Sequence, residues 1–404
     1  MKQAASEVLA SGSETRPWLT LIAALLSMVG PFSIDTYLPS FPDIEATFGI
    51  SRAVLSQSLG VYLVAFAVST LFWGPLADRI GRRRVILASL SLYILGSAGC
   101  ALANNTQTFL LLRTLQGLAA SGGFIAGRAM IRDAHGADAA HRAMSQVTLL
   151  FAIAPAIAPV LGGWLHDQFG WRSVFWFLTG FGILLIGLVA VIEETLPRAQ
   201  RQSFHPIAVF RVYSQTLKHR QFLALVLSLS LTFAGLFLYI AGAPTVIYDF
   251  LGLGSDDFSL QFIPMVGGLM LGAFLSSRLA HRWPTRRTIT VGFDLVALAV
   301  LLNLVQAAFF EAGILTVIGP LVIYAFGLAI AMPALTILAL DCFPHQRGTA
   351  ASMQGFLQML INAGIASIAV PLLHTRWLHF ALGQLTFLLL ALLLWYQIRY
   401  RAKF

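Results

Sequence analysis

The chain has 404 residues, of which 58% are hydrophobic and 11% charged, with a mean hydropathy of +0.79. That is more apolar surface than a soluble core can bury, so the composition excludes a soluble globular domain and reads as an all-α polytopic membrane protein. The net charge of +9 does not by itself call for nucleic acid, because its distribution along the chain has another explanation.

The first 16 residues are polar, and the apolar run after them lacks a short hydrophobic stretch ending in small residues, so no cleavable leader is expected. Runs long enough to cross a bilayer, about 20 residues, fall near 18–38, 53–73, 85–103, 107–128, 144–166 and 173–192. A polar, basic break follows at 193–220, and six more runs lie near 221–242, 258–279, 288–309, 312–334, 349–373 and 376–398. Twelve spans put both termini on one side. With helix-end residues assigned to the adjoining loop, the tails and even-numbered loops hold 22 of the 26 lysines and arginines. The opposite loops hold Arg52, Arg172 and Arg376, and Arg113 alone is left inside a span. The positive-inside rule then places both termini in the cytoplasm, and the net charge is a topology signal.

The densest of these loops is Gly74-Pro75-Leu76-Ala77-Asp78-Arg79-Ile80-Gly81-Arg82-Arg83-Arg84. Its charge cannot lie in hydrocarbon, so a tight surface loop is expected there, with its glycines making the turn. A degraded copy follows the eighth run at an offset of 203, aligning Leu76, Ala77, Arg79, Arg83 and Arg84 with Leu279, Ala280, Arg282, Arg286 and Arg287. The repeat divides the chain into bundles at 1–192 and 221–404 around a linker at 193–220, an arrangement that suits a transporter with its site between two halves.

Several polar residues fall inside the runs. Asp35 lies 17 residues after Trp18, about 26 Å along a helix, within a hydrocarbon core about 30 Å thick. It is either a helix-end carboxylate reaching water or a group that titrates or pairs with a cation. Arg113 lies about six residues into the fourth run, at a similar depth, where electrostatic coupling to Asp35 is open to it and so is a structural role on backbone carbonyls. In the fifth run Pro155 and Pro159 share a face and free carbonyls there, while Gly162 and Gly163 let another helix approach. Gln354, Gln358 and Asn362 share one face of the eleventh, as cavity lining or interhelical bonds. Asp294, near the start of the ninth, reads as a structural acid rather than a second proton site. Tyr62, Phe233, Phe237 and Tyr239 could stack on a lipophilic ligand or simply pack. Cys100 and Cys342 form no framework, the nine histidines show no metal spacing and most fall in loops (His135, His141, His205, His219, His281 and His345), and no phosphate-binding loop is present.

These pieces together resemble the drug:proton antiporters of the major facilitator superfamily, and within it the bicyclomycin/chloramphenicol-resistance (Bcr/CflA) group. The resemblance is carried by Ser33-Ile34-Asp35-Thr36-Tyr37-Leu38-Pro39, by the Gly74–Arg84 loop with its G-x-L-a-D-R-x-G-R-[RK]-x spacing, by Leu112-Arg113-x-x-Gln116-Gly117, by the Pro/Gly segment of the fifth run, and by Phe343-Pro344-His345 with Gly348-Thr349-Ala350-Ala351-Ser352. It covers essentially the whole chain. One departure is Ala158-Pro159 where the general antiporter signature has Gly-Pro, although the group often shows Ala-Pro.

The resemblance implies a major facilitator fold of two six-helix pseudo-symmetric halves and a monomeric, non-enzymatic exporter of lipophilic drugs or toxic metabolites in the bacterial inner membrane. No cofactor and no nucleic acid are implied, only protons, a small-molecule substrate and lipid. Asp35 and Arg113 would couple protons. Tyr37, Gln116, Tyr62, Phe237, Gln354 and Gln358 would join them around substrate. Gly74, Asp78, Arg79, Gly81, Arg82 and Arg83 would form a conformational latch, with Asp78 facing the start of the eleventh helix near Gly348. Pro155, Pro159, Gly162 and Gly163 would shape a hinge that limits leakage. A metabolite or sugar symporter of the same fold is the alternative.

Overall fold

The computed structural model describes residues 17–201, 213–279, 282–344 and 346–401. His205, His281 and His345, part of the linker and part of the second-half repeat lie outside the described residues. Among the described residues, twelve helices are long and apolar enough to cross a membrane. In chain order they are α1 (Pro17–Asp35), α2 (Arg52–Ile80), α3 (Arg82–Leu102), α4 (Thr106–Ala134), α5 (Ala137–Phe169), α6 (Trp171–Ala190), α7 (Arg220–Ala241), α8 (Phe258–Leu279), α9 (Thr285–Phe309), α10 (Ile314–Asp341), α11 (Arg347–Gly364) and α12 (Trp377–Arg401). Among the described residues there is no strand.

The bundle is apolar outside as well as inside. Leu315, Phe309, Leu111 and Leu372 are more than 70% exposed, a surface that suits lipid rather than water. Because lipid offers no hydrophobic drive for helix association, close packing rests on small residues. A Cβ on Gly117 of α4 would come within 2.2 Å of the Tyr62 carbonyl of α2, and one on Gly292 of α9 within 2.6 Å of Ala331 on α10.

The arginine-rich stretch departs from the expected eleven-residue loop. Helix α2 runs on through Pro75 to Ile80 and α3 begins at Arg82, leaving Gly81 alone as the turn, at φ +107°. Once the chain has left the hydrocarbon, charged residues are good helix formers, and only the residue that must adopt positive φ interrupts them. Gly74 is therefore an ordinary helical residue and not part of the turn. Helix α4 likewise extends to Ala134, so Arg128, expected at a helix end, is half-buried within it over the Phe124 ring at 4.1 Å. His135, expected to be solvated, is buried at the same helix end, its ring against the Ile131 carbonyl.

The face carrying Arg82–Arg84 is called the basic face. Among the described residues, the side-chain hydrogen bonds between α1–α6 and α7–α12 all lie at the opposite face. Arg52 bonds Asp249, Gln57 Nε2 donates to the Ser367 carbonyl at 2.8 Å, Tyr248 Oη to the Pro39 carbonyl at 2.6 Å, and Ser255 Oγ to Asp167 at 2.6 Å. The backbone is also irregular there, with π-helical turns at Thr245–Phe250 and Ile365–Ala369. A Cβ on Gly60 of α2 would collide with the Ser367 side chain of the second turn. At the basic face no comparable bond joins the halves among the described residues. Among the described residues, side-chain bonds thus fasten the halves at the opposite face and none is seen to do so at the basic one.

Candidate transport site

Arg113 is fully buried in the first half. One of its Nη groups donates to the Ser33 carbonyl at 3.0 Å and to Gln116 Oε1, three residues along the same helix. Its guanidinium carbon stands 4.4 Å from the Tyr37 ring centre and 4.6 Å from that of Tyr62. An arginine at mid-membrane costs roughly 2.5–3.5 kcal/mol on insertion scales. A desolvated cation–π contact contributes about 2 kcal/mol and a charged hydrogen bond about 1.5–3 kcal/mol. Two rings and two acceptors are therefore enough to hold the cation here without a carboxylate.

Asp35 closes α1 and is only 3% exposed, yet it makes no ion pair with Arg113, and its Oδ1 has no hydrogen-bond partner. The direct Asp35–Arg113 contact left open by the sequence is absent in this state. The two are joined instead through a polar cluster. Ser33, two residues before Asp35, gives its carbonyl to Arg113 and pairs its hydroxyl with Tyr93 Oη at 2.7 Å. Gln116 donates to Ser97 Oγ at 2.8 Å, and Tyr37 Oη pairs with Ser58 at 3.2 Å. Arg113 Nε and one Nη, and the Tyr62 hydroxyl, are buried without partners. The cluster therefore holds unspent hydrogen-bonding capacity on both a cation and a carboxyl.

Tyr37, Tyr62 and Gln116 are fully buried around Arg113. In this state they hold the cation and do not face open space. Ser58, Tyr93 and Ser97 belong to the same cluster and were not singled out. Their signal was present, since Ser89, Tyr93 and Ser97 recur every four residues along the otherwise apolar α3 and all three are buried.

In the second half, Phe237 stacks on Phe233 with ring centres 6.2 Å apart. Gln354 donates to Thr336 Oγ1 on α10 at 3.3 Å, Gln358 is half-buried, and Asn362 is buried with an unpartnered carbonyl oxygen. Of that face, Gln354 makes an interhelical bond and Gln358 stays partly open. Tyr239 does not await a ligand: its hydroxyl accepts from Asn303 Nδ2 at 2.6 Å. Asp294 is exposed.

The stretch expected to be a latch is tied within the first half. Arg82 bridges Asp78 through one Nη and Asp133 through Nε at 2.8 Å, joining α2, α3 and α4. Asp78 is 42% exposed and makes no bond to α11, and space around Gly348 is open. Among the described residues, no bond forms the expected Asp78–Gly348 neighbourhood. Arg79 is exposed.

Helix α5 remains unbroken through Pro155 and Pro159. Its glycines serve two different contacts. A Cβ on Gly162 would come within 1.9 Å of the Thr36 carbonyl, one residue past Asp35, whereas one on Gly163 would come within 2.5 Å of the Ser255 carbonyl in the other half. The Pro/Gly segment thus presses at once on the Asp35 turn and on the fastened face. No group of three metal-ligating side chains occurs among the described residues.

Residues 23–367 match the Major Facilitator Superfamily. The chain belongs to that superfamily. Among similar proteins, an MFS-type transporter named YdgK of Bacillus subtilis is 30% identical, with 91% of this chain and 94% of that protein covered. A bicyclomycin resistance protein homolog of Haemophilus influenzae is 27% identical over 88% of this chain and 91% of its own. A chloramphenicol resistance protein of Pseudomonas aeruginosa is 28% identical over 90% of this chain and 88% of its own. Among solved structures, a D-xylose–proton symporter superposes with a TM-score of 0.72 at 15% identity, covering 95% of this chain and 98% of that one. A bacterial homologue of the human lysosomal transporter Spinster gives 0.73 at 14%, covering 97% and 98%. At those identities the structures establish the fold of two six-helix halves alone. The chain is a multi-pass membrane transporter and not an enzyme.

Proposed function

We propose that this chain is a proton-coupled antiporter that exports small lipophilic drugs or toxic metabolites from the bacterial cytoplasm. It works as a monomer in the inner membrane, with its basic face and both termini cytoplasmic. Relatives named for resistance to bicyclomycin and chloramphenicol, and one named multidrug resistance protein D, support drug efflux. The observation that carries the reading is the Arg113 cage with a buried, partner-less Asp35 oxygen at its edge. Burying an isolated carboxylate is costly, whereas the neutral acid is far cheaper. Gain and loss of a proton at Asp35 would therefore weigh differently in states that bury it and states that open it. Arg113 supplies a fixed charge beside it. The fastened opposite face and unfastened basic face fit an inward-facing stage of alternating access. In the cycle we envisage, substrate enters from the cytoplasm, the halves rock, Asp35 takes a proton from outside as substrate leaves, and the fastened face reforms. One elementary charge moving across contributes about 2.3 kcal/mol per 100 mV.

Expression in an efflux-deficient bacterium tests this with a panel of toxic compounds, with and without a protonophore. Raised resistance that collapses with the protonophore is expected. Accumulation of compound inside the cells, or resistance indifferent to the protonophore, would sink the reading.

A further inference from the structure

A second site of concentrated charge lies on the basic face, outside the Arg113 cluster. Arg83 and Arg84 at the start of α3, and Arg198 and Arg201 beyond α6, line a cavity of about 290 Å³ together with Glu194 and Leu196. The one acid there is already engaged. Glu194 Oε1 accepts from the backbone N–H of Arg82 at 2.8 Å and of Leu196 at 3.2 Å, capping the first turn of α3. Arg83 uses Nε and one Nη on the carbonyls of Val189 and Ala190, which end α6. No ion pair reaches Arg84, Arg198 or Arg201 among the described residues. Arg201 Nε is buried without a partner.

Four guanidiniums therefore line one cavity with a single carboxylate, one of whose oxygens is already bonded to backbone N–H groups, a concave surplus of positive charge that repels itself unless an anion enters. The guanidinium fork matches the paired oxygens of a phosphate group. The amino end of α3 adds the positive pole of a 21-residue helix. The position is also informative. Val191, three residues before Glu194, is 81% exposed, so apolar surface for an acyl chain adjoins the charge.

We propose that this cavity binds a phosphate-bearing anion, presented either as the headgroup of an anionic phospholipid at the basic face or as free phosphate. The proposal rests on the membrane topology above and not on what the protein exports. It is measured as binding, without transport, so either reading can fail alone.

The test is a native mass spectrometry titration of the full-length protein in detergent with phosphatidylglycerol, with phosphatidylcholine as the zwitterionic control. Preferential phosphatidylglycerol adducts are expected, and the double change Arg198→Gln with Arg201→Gln should weaken them roughly tenfold, about the value of one charge-assisted contact. Inorganic phosphate is then added as competitor. Displacement of the lipid would mean the free ion uses the same arginines, and retention of the lipid would mean the headgroup is held by its attached chains as well; both support the site. Equal uptake of the two lipids, or equal phosphatidylglycerol affinity in wild type and double variant, overturns it. Should the double variant not fold, Arg84→Gln is titrated the same way, and unchanged affinity there is equally fatal.

Discussion

The two halves bury polar groups in opposite ways. In α1–α6 the buried set includes Arg113, Asp35 and Arg82, whereas in α7–α12 no lysine, arginine, aspartate or glutamate is buried among the described residues. The second half instead closes a neutral circuit. Asn303 donates to Tyr239 and to Gln384 Oε1 at 2.9 Å, and accepts from Trp377 Nε1 at 3.0 Å. Gln384 donates on to the Gly235 carbonyl. The neutral circuit holds packing together; the charged cluster leaves donors and a carboxyl oxygen unspent. From a shared fold, the Asn303 circuit is closed on neutral partners, whereas the Arg113 cluster leaves charged groups free to change theirs. The contrast teaches that coupling residues are sought where a buried network is left incomplete.

The largest test of this contrast is in the first half. Asp35→Asn and Arg113→Met should each reduce uphill, proton-driven export to background while the protein still inserts, because one loses the titrating group and the other the fixed charge. Arg113→Lys keeps the charge but lacks the planar face that stacks on Tyr37 and Tyr62, and should retain activity reduced by about tenfold. Export by proteoliposomes at equal protein content is the measurement. Wild-type rates in the methionine variant would make Arg113 merely structural.

The matching change in the second half is Asn303→Leu. It strands Tyr239, Gln384 and Trp377 together and should cost about 1–3 kcal/mol of stability. Thermal unfolding in detergent should shift downward, while the proton dependence of transport survives. Loss of proton dependence in a stable variant would show that the neutral circuit also takes part in coupling.

A smaller effect is expected at the basic face. Asp78 holds Arg82 while partly solvated, so Asp78→Ala should cost little stability. If Asp78 meets α11 only when the basic face closes, its loss removes a contact of the other state and shifts the population toward the present one. Spin-label distances between the basic ends of α2 and α11 should lengthen on average. An unchanged distribution would refute the latch.

How much of this was legible in the sequence follows from what each signal depends on. The twelve spans were readable because every hydrocarbon crossing demands a long apolar run, and the Arg113 position because a cation is conspicuous there. The extent of α2 was not, since helix beyond the membrane carries no hydropathy signal and only Gly81 marks the break. The Tyr37–Arg113–Tyr62 cage was half-visible. Each residue could be named, but a ring over a guanidinium is set by how α1, α2 and α4 pack. The Ser89–Tyr93–Ser97 spacing was present and passed over, because small hydroxyls in an apolar helix also satisfy their own backbone, as Ser89 does with Ile86. The π-helical turn at Ile365–Ala369 has no sequence mark, and the contacts that Gln57 and Gly60 of the other half make with Ser367 inside it are tertiary.

The smallest expected effect lies at the fastened face, where Arg52 links Glu45 of its own half to Asp249 of the other. Intuition says that acid should break this link and open the face. The electrostatics of Asp249 give the other sign. Partial burial pushes its carboxyl above the ordinary range, and the opposing pull of Arg52 and His374 only partly offsets that. An opened face would return Asp249 to water and to a carboxylate value of about 3.9. The closed face thus binds the proton more tightly, and by linkage a fall in pH through the window just above that value favours closure. The contribution fades as the pH rises above both carboxyl values. Asp43, Asp167 and His166 cluster at the same face, and His374 acts electrostatically on Asp249, so Asp249→Asn is compared with His374→Gln to separate them. The closed fraction, read as spin-label distance between α2 and the segment at Asp249, should rise slightly with acid in wild type and be flatter in Asp249→Asn. With Asp249 44% exposed the change should be no more than a few-fold. A closed fraction that falls with acid in wild type but not in the variant would mean that rupture of the Arg52 bond governs this face.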